Sequence, residues 1–142
     1  MATAKFDPSR VWLFSECSRS ELRTIERNVE PLHVAAGTVV CDEGEVGQTF
    51  YFVVSGLATV HQNGRKTAEI GPGGYFGELA LLDRLPRSAT VKAASDLELL
   101  ALDQRTFNKL LKSSPAIVRK LLVATASRLR EADAKALKSA IH

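Results

Sequence analysis

One stretch of the chain carries residues that could hold an anion. It reads Phe76-Gly77-Glu78-Leu79-Ala80-Leu81-Leu82, then Asp83-Arg84-Leu85, then Pro86-Arg87-Ser88-Ala89-Thr90-Val91. Gly77 lets the backbone approach a ligand with no Cβ in the way. If residues 78–82 form about one helical turn, its first N–H groups lack intrahelical acceptors and sit at the positive end of the local dipole. Arg87 adds a planar, always protonated guanidinium that can grip two phosphate oxygens at once, and Pro86 stiffens the chain before it. Glu78 would repel an anion unless it had its own partner. Sugar hydroxyls are such a partner, as they are for acidic residues in dinucleotide sites. Amides and arginine for phosphate, with a carboxylate for ribose, describe a nucleotide pocket. On the residues alone one alternative stays open, that Glu78 and Arg87 form an ordinary surface ion pair worth less than about 1 kcal/mol.

The full pattern, Phe-Gly-Glu-Leu-Ala-Leu, a short spacer, then Pro-Arg-small-Ala-Thr, resembles the phosphate-binding cassette of the cyclic nucleotide-binding domain family. Its wording is similar to the cassettes of cyclic AMP-dependent protein kinase regulatory subunits and, more distantly, of bacterial catabolite activator-like proteins. The resemblance implies that Glu78 takes the ribose 2′-hydroxyl and Arg87 the exocyclic cyclic phosphate. It further implies that the N–H groups of Leu79 and Ala80 complete the phosphate cradle, and that Ser88 touches the phosphate or a purine edge. Val54 and Ile70 are the implied aliphatic wall for the base. The ligand expected is cyclic AMP, with cyclic GMP second. No cofactor, metal or catalytic group is expected, so the chain reads as a regulatory module and not an enzyme.

Other elements must position this cassette. Ser18 with Glu21 spells a capping box, and Leu22, Ile25 and Val29 recur at helical spacing, so a short helix is expected before Pro31. From residue 31 to residue 103 the pattern becomes β-type, with runs at 32–35, 38–41, 49–55, 57–62, 66–70, 89–93 and 97–103 separated by glycine turns. Asn63-Gly64 is the favoured two-residue hairpin signal. After Asp103, a helix-capping residue, the period is helical again over 104–112, and Ser114-Pro115 opens a longer helix to about residue 137. The expected fold is therefore mainly β with flanking helices. The resemblance makes it a jelly-roll-like barrel with an N-terminal helix and a C-terminal hinge and lid helix pair. One domain is expected over 1–142: residues 1–30 helical, 31–103 the barrel with cassette 76–91, and 104–142 the C-terminal helices.

In the resemblance the final helix closes over the base, and in transcription factors it also dimerises. Here Val118, Leu122, Thr125, Leu129 and Ala132 make a short heptad-like run that weakens to alanine, so packing on the chain's own barrel competes with a homodimer. Arg128, Arg130 and Asp133 are candidates for capping the base, with no spacing rule to choose among them.

The chain has 142 residues, enough for one sizeable core. A formal charge of +3 is too small to argue for nucleic acid. No apolar run approaches the roughly 20 residues of a membrane span and no signal peptide is spelled, so a cytoplasmic location is expected. Cys17 and Cys41 lie far apart without metal-ligand spacing and read as buried or half-buried thiols. Trp12 reads as a core residue, and His33 and His61 as bystanders. With the sequence ending at His142, the chain is expected to be a stand-alone sensor or an excised regulatory domain of a larger transcription factor or enzyme. A protein-interaction module on the same fold is the rival reading.

Overall fold

Turn glycines and side-chain caps set the element ends in the computed structural model, which describes residues 7–78 and 85–141. Two 3-10 turns, Pro8–Arg10 and Trp12–Phe14, lead into α1 (Arg19–Asn28). Strands β1 (Glu30–Val34), β2 (Val39–Cys41), β3 (Thr49–Ser55), β4 (Ala58–Gln62), β5 (Arg65–Ile70), β6 (Tyr75–Phe76), β7 (Thr90–Ala93) and β8 (Leu97–Asp103) follow. The chain then runs through α2 (Gln104–Ser113) and α3 (Pro115–Ile141). Two antiparallel four-stranded sheets result, ordered β1-β8-β3-β6 and β2-β7-β4-β5. The two-residue β6 was not expected from the sequence. It is too short to show a period of its own and exists because Tyr75 and Phe76 pair with Phe52 and Tyr51 on β3.

Side-chain alternation on β3 and β8 divides the interior in two. Phe50, Phe52, Leu100 and Leu102 face the helices, where Leu13, Phe14, Ile25, Phe107, Leu110, Ile117 and Leu121 complete a buried cluster. Val53, Leu97 and Leu99 face the other sheet, against Cys41, Ala58, Val91 and Ala93, with Phe76 beside them. Tyr51, Val60 and Ile70 pack on that second cluster from its margins.

The capping box forms as spelled: the Ser18 N–H donates to Glu21 Oε1 at 2.8 Å, and the Glu21 N–H donates to Ser18 Oγ at 3.2 Å. Ser18→Ala is expected to cost about 1 kcal/mol, lowering the melting temperature by roughly 2–6 °C. A calorimetric melt of the two proteins checks this. At the Asn63-Gly64 hairpin both residues are left-handed, with φ of 52° and 78°, the conformation that a turn matched to strand twist requires. Asp103 caps α2 by accepting the Thr106 N–H at 2.9 Å, and hydrogen bonding from the Thr106 side chain, with this backbone bond second, holds its carboxyl below the usual aspartate range.

Trp12 is not core: the residue is 48% exposed. Lys120 is the buried partner instead, at 7% exposure. Its ammonium lies 4.6 Å from the Trp12 ring centroid and donates to the Trp12 carbonyl at 2.9 Å and to Ser15 Oγ. Glu16 Oε2 stands 3.3 Å away. A buried ammonium needs such partners, and Trp12 supplies both a carbonyl and a ring face by staying at the surface.

Among the described residues, the buried apolar side chains of α3 lie at its start. Ile117 and Leu121 are buried, whereas Leu122, Leu129 and Leu137 are each more than 60% exposed. Among the described residues no helix is long and apolar enough to cross a membrane. Nor, among them, could any group of three or more His, Cys, Asp or Glu residues hold a metal ion.

Candidate functional site

Pairing of β6 with β3 delivers Gly77 and Glu78 to one end of the first sheet, and β7 begins three residues after Arg87 on the second. The two halves of the cassette meet there across a gap of ten residues in sequence. Gly77 has φ of +93°, a left-handed backbone that only glycine adopts without strain. A Cβ at Gly77 would also lie 2.8 Å from both the Thr49 carbonyl oxygen and Arg87 Nη1, so conformation and space both require glycine here.

Arg87 is half-buried. Its Nη2 donates to the Thr49 carbonyl at 3.0 Å and its Nη1, more weakly, to the Gly77 carbonyl at 3.5 Å. The Tyr51 ring, stacked on Phe76 with centroids 5.1 Å apart, lies 5.9 Å from the guanidinium carbon. The β2–β3 loop closes on the same arginine: the Arg87 N–H donates to the Glu45 carbonyl and the Gly44 N–H to the Arg87 carbonyl, both at 2.8 Å. A guanidinium has five N–H donors. Among the described residues, two are directed at carbonyls that fix its plane. Burial pushes the nearby Cys41 thiol up to about 11, with the Arg87 charge opposing the shift, so Cys41 is a neutral neighbour at pH 7.

Glu78 is only 5% exposed. A buried carboxylate needs a partner, and Arg128 of α3 supplies it with Nη1 3.1 Å from Oε2. The Arg128 guanidinium also sits 5.9 Å from the Tyr75 ring centroid. The final helix is thereby held to the cassette 50 residues away in sequence. Among the described residues, Arg128 is the capping candidate on α3 that pairs with the cassette. Glu78 and Arg87 do not pair with each other, as the surface ion-pair reading would have required.

The remaining candidates are placed unevenly. Ile70 is half-buried against the barrel cluster. Val54 is 40% exposed, at the β3 bulge where register shifts between Val53 and Ser55. Ser88 is exposed, and its carbonyl accepts from Gln62 Nε2 at 3.2 Å. Leu79 and Ala80, with the helical turn expected over 78–82, lie outside the described residues except for Glu78. Sequence reasoning missed Gly47, Thr49 and Tyr51 altogether. Strand alternation could have put Tyr51 on the inner face with Val53, but nothing local marks Gly47 or a backbone carbonyl.

The sequence profile described as "Cyclic nucleotide-binding domain" matches residues 31–114, more than half of the chain. The chain belongs to that family. A cyclic nucleotide-gated potassium channel of Rhizobium etli is 43% identical over 105 residues, which are 74% of this domain's chain and 29% of the channel. The cyclic AMP receptor protein of Thermus thermophilus is 41% identical over 102 residues, 68% of this chain and 47% of the receptor. The domain thus spans less than half the length of these curated relatives. Among solved structures, the Thermus thermophilus catabolite activator protein superposes with a TM-score of 0.77 at 34% identity, over 87% of this chain and 60% of that one. A PKA regulatory domain with Sp-2Cl-cAMPS bound superposes with a TM-score of 0.77 at 27% identity, over 91% and 88% of the two chains. The domain is a regulatory module of mainly β sandwich architecture with flanking helices.

Proposed function

We propose that the domain is a cyclic nucleotide sensor, with cyclic AMP ahead of cyclic GMP, that converts binding into a movement of α3. The observation that carries this reading is the convergence of a preorganised Arg87, a buried Glu78 and Arg128 of α3 at one end of the two sheets. Arg87 takes the cyclic phosphate, helped by the N–H groups of Leu79 and Ala80 beyond Gly77. Glu78 accepts the ribose 2′-hydroxyl. Ile70 on the wall and Val54 at the rim meet the base, and Ser88 contacts the phosphate or a purine edge. The preference for cyclic AMP rests on the cyclic AMP receptor and the analogue-bound PKA domain among the relatives.

A ligand shifts a helix only by binding one arrangement better than another. Here that difference would arise at Glu78, which faces Arg128 and would face the ribose, so the nucleotide rebalances the contact that holds α3. Arg128→Ala is expected to lower the stability of the nucleotide-free domain by up to about 1 kcal/mol, the scale for a pair whose arginine is half exposed and screened. A calorimetric melt without ligand reads that loss. Amide resonances of residues 115–138, recorded with and without saturating cyclic AMP, test the movement itself. The expected result is a set of shifts on α3 that disappears in Arg87→Leu. Shifts confined to residues 85–91 with α3 unmoved would contradict the proposal.

A further inference from the structure

The β2–β3 loop contributes one more feature to the site. Gly47 is buried, and its φ is not in the left-handed region, so no turn conformation calls for glycine there. The space above it does: a Cβ at Gly47 would stand 2.5 Å from Arg87 Nε and 2.7 Å from Nη2, closer than atoms can approach. Displacing the guanidinium would cost its hydrogen bonds to the Thr49 and Gly77 carbonyls and its place 5.9 Å from the Tyr51 ring. The loop's main chain is itself tied to Arg87 through Glu45 and Gly44. Its Glu43 is fixed at two further points, the Glu43 N–H donating to Thr90 Oγ1 at 3.0 Å and its Oε1 accepting the Asn63 N–H at 3.1 Å.

We infer that Gly47 is a positioning residue for nucleotide binding: it forms the floor on which the Arg87 guanidinium lies, and its missing side chain keeps that plane presented to the phosphate. This rests on the reading of Arg87 as the phosphate ligand. A larger residue lifts the guanidinium off the Thr49 carbonyl, leaving the barrel and the ribose contact of Glu78 in place.

Two measurements decide it. In the nucleotide-free domain the Arg87 Nε–H resonance, assigned by its absence in Arg87→Leu, is expected to shift or broaden in Gly47→Ala. Titration with cyclic AMP is expected to show Gly47→Ala weaker by at least about tenfold, a change of about 1.4 kcal/mol. The double variant Gly47→Ala/Arg87→Leu is expected within about twofold of Arg87→Leu alone, since contacting residues are strongly non-additive. An unmoved resonance with unchanged affinity would overturn the inference. So would a tenfold loss that recurs in the Arg87→Leu background, which would mark a damaged loop and not a displaced guanidinium. If Arg87→Leu itself bound like the wild type, the phosphate reading would fall and Gly47 would have no role in binding, whatever the resonance did.

Discussion

Arg87→Leu is expected to reduce cyclic AMP affinity by roughly 30- to 4,000-fold, which is the effect of about 2–5 kcal/mol. The size follows from what the substitution removes. A guanidinium facing a cyclic phosphate makes charge-assisted, bidentate hydrogen bonds, the strongest non-covalent contacts a side chain offers an anion. Two carbonyls and a ring have already fixed its plane, so little ordering cost remains when the ligand arrives. Leucine is similar in bulk and keeps the apolar stem, so the fold should survive while the charge is lost. Loss is expected for cyclic AMP and cyclic GMP alike, because the phosphate is common to both. An Arg87→Leu domain that is folded and binds within threefold of wild type would show that the anion sits elsewhere.

Phe50→Ala is expected to have the largest effect on stability. Phe50 is fully buried on β3, with ring centroids 4.5 Å from Phe52, 5.0 Å from Phe107 and 5.4 Å from Tyr75. It therefore joins the first sheet to α2 and to the strand that leads into Gly77 and Glu78. Truncating a phenylalanine in such a site leaves a cavity that a packed interior cannot close, at about 3–5 kcal/mol. Against a total stability of about 5–15 kcal/mol this is a large fraction, and the melting temperature should fall by roughly 10–20 °C. Affinity well below the melting point should change less than about threefold, because Phe50 and Tyr51 point to opposite faces of the strand. A drop of under about 5 °C would mean that the helices are held to the barrel by something other than this aromatic cluster.

The contrast between those two residues bears on what the sequence makes visible. Arg87, Gly77 and Glu78 are legible because their chemistry is spelled within about a dozen consecutive residues. The capping box at Ser18, the cap at Asp103 and the hairpin at Asn63-Gly64 are legible for the same reason: each depends on neighbours a few positions away. Strand runs are recognisable as β-type stretches bounded by turn glycines, to within two residues at the ends. What escaped was long-range. Arg128 reaches Glu78 only because α3 returns past the pocket, and no spacing rule distinguishes it from Arg130. Gly47 looks like one more loop glycine until the guanidinium above it is seen. Apolar neighbours suggest burial for Trp12, whereas it is half exposed and its carbonyl and ring meet the ammonium of a buried Lys120. Two-residue β6 has no pattern of its own and is defined by its partner strand.

Titration of the nucleotide-free, folded domain with cyclic AMP, alongside cyclic GMP, decides whether it is a nucleotide sensor. Saturable binding at one site per chain is expected, tighter for cyclic AMP than for cyclic GMP. Absence of heat with either nucleotide, from a domain that melts cooperatively, would contradict it. In that case the convergence of Arg87, Glu78 and Arg128 would serve the fold alone.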